Sequence, residues 1–128
     1  MRLLLDTHAL LWWLLGDLSL SAAAREAIAR PENEIHVSAA SAWEIATKHR
    51  IGKLPRAAVL VADIAGFVAA QGFIELSISL RHGQLAGSLP PIHKDPFDRM
   101  LIAQALAADL TIVSNEALFG EYGVAVLW

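Results

Sequence analysis

The chain has no cysteine among its 128 residues. That excludes a disulfide framework, a thiol nucleophile and any zinc–thiolate site, and it fits a reducing compartment. Charged residues are scarce at 18%, and the net charge is −3. Proteins that grip nucleic acid through its phosphates usually carry a basic footprint. This balance argues against such a partner unless several acids are gathered into one metal site. Long apolar runs are missing too. The longest, Ala9 to Leu15, falls well short of the roughly 20 residues a bilayer-crossing helix needs. Asp6 and His8 also interrupt what could otherwise pass for the apolar stretch of a signal peptide. There is no linker, repeat or low-complexity segment.

What is abundant is apolar: 55% of residues, with a mean hydropathy of +0.47. A chain of this length is expected to form one domain and to bury about two-thirds of its unfolded surface. The excess apolar surface is expected to face a partner or a second copy of the chain. The reading is a cytoplasmic protein with no membrane segment.

Short apolar runs alternate with longer helical ones. RLLLD (Arg2 to Asp6), EIHVS, FIELS, LTIV and VAVLW read as strands. Helices are expected from Thr7 to a stop at Gly16, from Ser21 through Arg30, and from a cap at Ser38 or Ser41 to about Arg50. Further helices are expected from near Pro55 to about Gln71, from a cap at Ser79, from Pro96 to about Asp109, and briefly from about Glu116. Strands alternating with helices mean parallel βαβ units and a sheet covered on both faces. Sites in such folds form beyond the carboxyl ends of the strands.

Four acids point to that edge. Asp6 follows Leu3-Leu4-Leu5 directly, and Glu116 lies three residues after Val113. Asp98 opens the helix that leads back into strand LTIV, and Glu44 stands about one turn into its own helix. Each has a plainer role available. Asp6 can cap the following helix, Glu44 can pair with Lys48 at i, i+4, and Glu116 can complement a helix dipole. Asp95 and Asp98 separate better. Asp95 before Pro96 has the grammar of an N-cap followed by proline at N1. Asp98 instead shares a stripe with Leu101, Ile102 and Ala105. No basic residue lies on that stripe, and a carboxylate there needs a cation or good hydrogen bonds. Four converging carboxylates could not all stay ionised without a cation. Hard oxygen donors favour Mg²⁺ or Mn²⁺. Such an ion can polarise a phosphate oxygen and acidify a bound water, so metal-dependent phosphodiester hydrolysis is the natural chemistry.

The segments LLLDTHALLWWL, SAWEIATKHRIGKL, HKDPFDRMLIAQA and TIVSNEALFGEYGVAVLW occur in that order from residue 3 to the C-terminus. Together they resemble the PIN-domain ribonucleases, specifically the VapC-type toxins of bacterial toxin–antitoxin pairs. The resemblance implies a three-layer α/β/α sandwich around a central parallel sheet. It also implies an acid cluster binding Mg²⁺ or Mn²⁺, cleavage of single-stranded or structured RNA, a cognate antitoxin lying in a hydrophobic groove, and a homodimer. Asp6 matches the family's first acid, Glu44 the acid of the S-x-W-E-I motif, and Asp98 the acid preceding L-I-A. The family's T-x-D motif reads Ser114-Asn115-Glu116 here. The longer glutamate could shift a metal or leave the contact to a water. Asp95 is a cap and a possible outer acid, while Thr7 and Ser114 could orient ligands or act as local caps.

Lys48, Arg50, Lys94 and Arg99 flank the acids and could engage RNA phosphates; a solvated charged surface explains them equally well. The five histidines show no metal-ligand spacing. The helix holding Trp12 and Trp13 is apolar nearly all round, so it is either buried on every side or keeps a face for another chain. Two rival readings stand. A small α/β phosphatase or phosphotransfer domain would want a second acid two residues after its nucleophilic aspartate, where this chain has His8. A non-catalytic binding module of the same fold is kept open by Glu116.

Overall fold

The computed structural model describes all residues, Met1 to Trp128. Leu3, Leu4 and Leu5 in β1 (Arg2–Leu5) are wholly buried, each burial contributing about 1.5–3 kcal/mol. Because strand side chains alternate, Leu3 and Leu5 join one apolar cluster and Leu4 joins a second on the other face. The sheet is thus covered on both sides, as parallel sheets are.

The first face carries α1 (Thr7–Leu15) and α2 (Ala22–Ala29), followed by β2 (Glu34–Ser38) and α3 (Ala39–Arg50). Ser38, rather than Ser41, caps α3 by accepting from the Ala40 amide at 3.0 Å. The expected helix from Pro55 to Gln71 is divided. A 3₁₀ turn (Pro55–Ala57) runs into the short α4 (Ala58–Val61), and α5 (Ile64–Ala70) starts afresh. The break lies at Asp63, whose carboxylate accepts from the Gly66 amide at 2.9 Å. An aspartate that caps competes with helix continuation.

β3 (Ile74–Leu76) and α6 (Leu80–Ser88) follow, then α7 (Pro96–Ala108), β4 (Thr111–Val113), a 3₁₀ segment (Ala117–Tyr122) and β5 (Val126–Leu127). The short helix expected near Glu116 is this 3₁₀ segment. Leu101, Ile102 and Ala105 of α7 pack with Leu4, Ile112 and Phe119 against the second face.

Strand order is β3-β2-β1-β4-β5, and every pairing is parallel. Helices on both faces complete the α/β/α sandwich expected from the sequence. The order reverses between β1 and β4, and beyond that switch point a crevice opens at the carboxyl edge. Leu5 pairs with Val37 on one side and Val113 on the other, so these three strands end level. No helix is long and apolar enough to cross a membrane.

Candidate active site

At the switch point the Asp6 amide donates to the Val113 carbonyl at 3.1 Å. That bond sets Asp6 beside Ser114 where β1 and β4 stop. A cavity of about 250 Å³ opens there, lined by Asp6, Glu44, Asp95, Asp98 and Glu116 together with Lys48, His8, Trp12 and Asn115. The four acids singled out in the sequence, and Asp95 with them, therefore share one enclosure.

Asp6 caps α1, its Oδ1 accepting from the Ala9 amide at 2.7 Å. Burial pushes its carboxyl above the usual range, opposed by hydrogen bonds from Ser114 and Ala9 and by the attraction of His8. The next residue, Thr7, is buried and reaches across to α3. Its hydroxyl donates to Glu44 Oε1 at 2.6 Å and lies 3.1 Å from Ser41 Oγ. Glu44 is 3% exposed, which sets it apart from an ordinary solvated Glu–Lys pair. Its other oxygen is paired with Lys48 Nζ. Burial acts to lower the Lys48 pKa, but Glu44, Asp95 and Asp98 outweigh it and hold the ammonium above its usual value. Lys48 is thus a firmly charged cation inside the acid cluster.

Asp95 caps α7 by accepting from the Asp98 amide at 3.0 Å, with Pro96 at the first helical position. The Asp98 side chain is 24% exposed and has a partner outside its own helix: His93 Nε2 lies 2.8 Å from Oδ2. The Asp95 amide donates to His93 Nδ1 at 3.4 Å, which turns the Nε2 edge of the ring toward Asp98. Burial, then Asp95 and Glu44, raise the Asp98 carboxyl to about 7, against the attraction of His93. Negative charge at this spot is therefore under-compensated by the protein's own groups.

Glu116 caps the 3₁₀ segment, accepting weakly from the Leu118 amide at 3.3 Å, while its own amide donates to Ser114 Oγ at 2.9 Å. Every acid here except Asp98 thus accepts a hydrogen bond from its own chain, Asp98 having only its ion-pair contact with His93, and no group of three acid or histidine side chains is disposed to hold an ion at once. The chemistry of the set nevertheless suits a hard divalent cation. All the donors are carboxylate oxygens, and the raised Asp98 carboxyl marks a charge deficit that such an ion would relieve.

Among the basic residues flanking the acids, only Lys48 lines the cavity. Arg50 and Lys94 are exposed and lie outside it. Arg99 spends both terminal nitrogens on backbone carbonyls: Ala86 at 2.8 Å, Leu89 at 2.7 Å, Pro90 at 3.0 Å and His93 at 3.1 Å. Tyr122 adds a second tie, accepting from the His93 amide at 2.8 Å and donating to the Pro90 carbonyl at 2.7 Å. Together they hold His93 against Asp98. His93 stands out in the sequence only as one of the basic residues beside the Asp98 loop, and Tyr122 not at all, because loop and helix meet only in three dimensions. The Pro90-Pro91 pair before His93 was the one available signal of a constrained loop.

The PIN domain family model matches residues 3–124. No curated protein sequence matches the chain significantly. Among solved structures, similar chains come from VapBC2 of Rickettsia felis bound to a promoter DNA fragment (TM-score 0.72, 15% identity, 99% of this chain and 98% of that one). Others come from DNA-bound VapBC of Salmonella typhimurium (0.68, 17%, 99% and 97%). A third comes from VapBC-1 of nontypeable Haemophilus influenzae (0.64, 12%, 99% and 97%). At these identities the likeness is one of fold.

Proposed function

The chain belongs to the PIN domain family, and from that membership we propose that it is a VapC-type toxin, a cytoplasmic endoribonuclease dependent on Mg²⁺ or Mn²⁺ and silenced by a cognate antitoxin. The observation that carries the reading is the gathering of Asp6, Glu44, Asp98 and Glu116 around one cavity at the sheet switch point. Asp6 and Asp98 are the groups best placed to hold the ion, with Glu44 next and Glu116 last. A divalent cation bound there supplies Lewis acidity toward a phosphate oxygen and acidifies a water.

The remaining roles fall to the chain's own residues. Thr7 holds Glu44 toward the cavity through its 2.6 Å hydrogen bond. Lys48 offers a permanent positive charge to a phosphate oxygen in a site that otherwise repels phosphate. His93 orients Asp98, and Ser114 supports both Asp6 and the Glu116 amide.

An apolar groove of about 230 Å³ lies on the neighbouring surface, lined by Trp43, Ile78, Pro96, Phe97 and Met100 among others. Trp43 and Phe97 stand edge to face at 4.8 Å, and each directly precedes an acid of the site. This groove suits an antitoxin segment that anchors apolar side chains and reaches toward the acids. A homodimer accords with the apolar side chains that remain exposed.

The test is incubation of purified, antitoxin-free protein with total RNA and Mn²⁺. Discrete cleavage, abolished by EDTA and by added antitoxin, is expected. RNA left wholly intact under these conditions overturns the reading. The second reading, a non-catalytic module, draws support from the absence of any three side chains disposed to share an ion. Calorimetric titration with Mn²⁺ separates the two, since a module without a metal site releases no binding heat.

A further inference from the structure

Trp12 is the one apolar side chain among the nine residues lining the acid cavity. Its neighbour Trp13 has an ordinary structural life, donating its indole N–H to Gln71 at 2.8 Å and packing 6.2 Å from Phe73. Trp12 is turned the other way. It packs on the core along one side and remains half-buried. Its ring is flanked by exposed His8, 5.5 Å away and tilted by 34°, and by Trp128, 5.8 Å away and tilted by 58°. An aromatic strip thus runs outward from the carboxylates. Exposed Asn115, with both a donor and an acceptor on its amide, lines the same cavity.

A cavity of about 250 Å³ is much larger than an ion with one or two waters requires, at roughly 30 Å³ per water. We infer that Trp12 is a stacking plate for the unpaired nucleobase adjoining the scissile phosphate, held in place by His8 and Trp128, with Asn115 reading the base edge. The carboxylates and the amide around the indole disfavour an apolar protein side chain as its occupant. A base offers a π-face to the indole and polar edges to Asn115, so it satisfies both kinds of surface at once. Stacking tolerates any base, so this contact selects single-stranded RNA over paired RNA, and Asn115 adds preference among bases. The inference rests on the ribonuclease reading above.

The test uses two fluorescein-labelled 12-mers, a uridine oligoribonucleotide and a ribose-phosphate strand lacking bases, with wild type, Trp12→Phe and Trp12→Leu. Binding is read by anisotropy and by tryptophan emission in EDTA, and cleavage is read in Mn²⁺. Wild type is expected to bind the base-bearing strand at least ~10-fold more tightly than the abasic one, with quenched emission. Trp12→Phe should keep most of that preference. Trp12→Leu, which conserves apolar volume for packing, should lose both preference and quenching. Equal affinity of wild type for the two strands overturns the inference, and this comparison needs no variant to fold. Unchanged RNA binding by Trp12→Leu with loss of antitoxin inhibition overturns it in favour of a protein occupant. Wild type that cleaves total RNA yet ignores the bases sinks the stacking plate alone. Wild type that neither binds nor cleaves RNA sinks the ribonuclease reading as well.

Discussion

His93 Nε2 stands 2.8 Å from Asp98 Oδ2, joining a loop histidine to an acid on the buried stripe of α7. Asp98 has no basic residue on its own helical face, and the loop supplies one from outside. That partner softens the charge deficit without removing it, since Asp98 still sits at about 7.

This raised value has a definite consequence for stability. The folded protein holds the Asp98 proton up to about 7, whereas the ordinary value is 3.8. Between the two the native state binds more protons than the unfolded one, so stability is full below 3.8 and declines as pH rises through about 7. In urea titrations without divalent metal, wild type should lose on the order of 2 kcal/mol between about pH 4.5 and pH 8. Asp98→Asn should flatten the part of that slope owed to Asp98, leaving the part owed to Asp6, whose carboxyl is also raised by burial. An equal slope in the variant places the titration elsewhere.

The acids should rank by cleavage rate in Mn²⁺. Asp6→Asn and Asp98→Asn are expected to lose at least ~100-fold in kcat. Glu116→Gln is expected to lose about 10-fold or less, because a glutamine still accepts from the Leu118 amide. A Glu116→Gln loss as deep as that of Asp98→Asn would make Glu116 a direct ligand.

Lys48 pairs with Glu44 inside the cavity and so competes with any divalent cation for that carboxylate. Calorimetry on Lys48→Met should show Mn²⁺ binding about 3–10-fold tighter than wild type, together with slower RNA cleavage. Weaker Mn²⁺ binding by the variant would show that the ammonium positions Glu44 rather than competing for it.

Arg99 bridges the end of α6 to the loop carrying His93 through four close carbonyl contacts. Arg99→Ala should cost about 1–2 kcal/mol in denaturant unfolding, since several carbonyls, most of them partly buried, lose a charged donor. Arg99→Lys should recover little, because an ammonium cannot span the fork. If Arg99 instead served mainly as a phosphate contact, stability would be unchanged and the salt dependence of RNA binding would fall.

A Cβ added at Gly66 would lie 2.2 Å from Asp63 Oδ2. Gly66→Ala should therefore eject the cap of α5 and lower the unfolding free energy by about 1 kcal/mol, with cleavage unaffected. Cleavage assays beside urea melts check both halves, and an unchanged melt refutes the cap's role.

Much was legible from local pattern. Leu3-Leu4-Leu5 read as a buried strand because burial on both faces demands an unbroken apolar run. Asp95-Pro96 read as a helix start because proline constrains its predecessor. The helix from Pro55 did not read correctly. Its apolar period continues across Asp63, and only the aspartate's hydrogen bond to the Gly66 amide shows where the chain turns.

By itself, then, the sequence determined the parallel α/β/α layering, the family, and which carboxylates end up at the strand edge. All of these follow from short-range periodicity and from position along a strand or helix. Only the tertiary structure decided what each carboxylate meets. Thr7 and Lys48 hold Glu44, Ser114 supports Asp6, and His93 reaches Asp98 from a loop tied down by Arg99 and Tyr122. Of these contacts, Lys48 with Glu44 follows helical spacing. The others join segments distant in the chain or a loop to a helix end, and there the packing of elements, rather than spacing along the chain, sets which donor faces which oxygen.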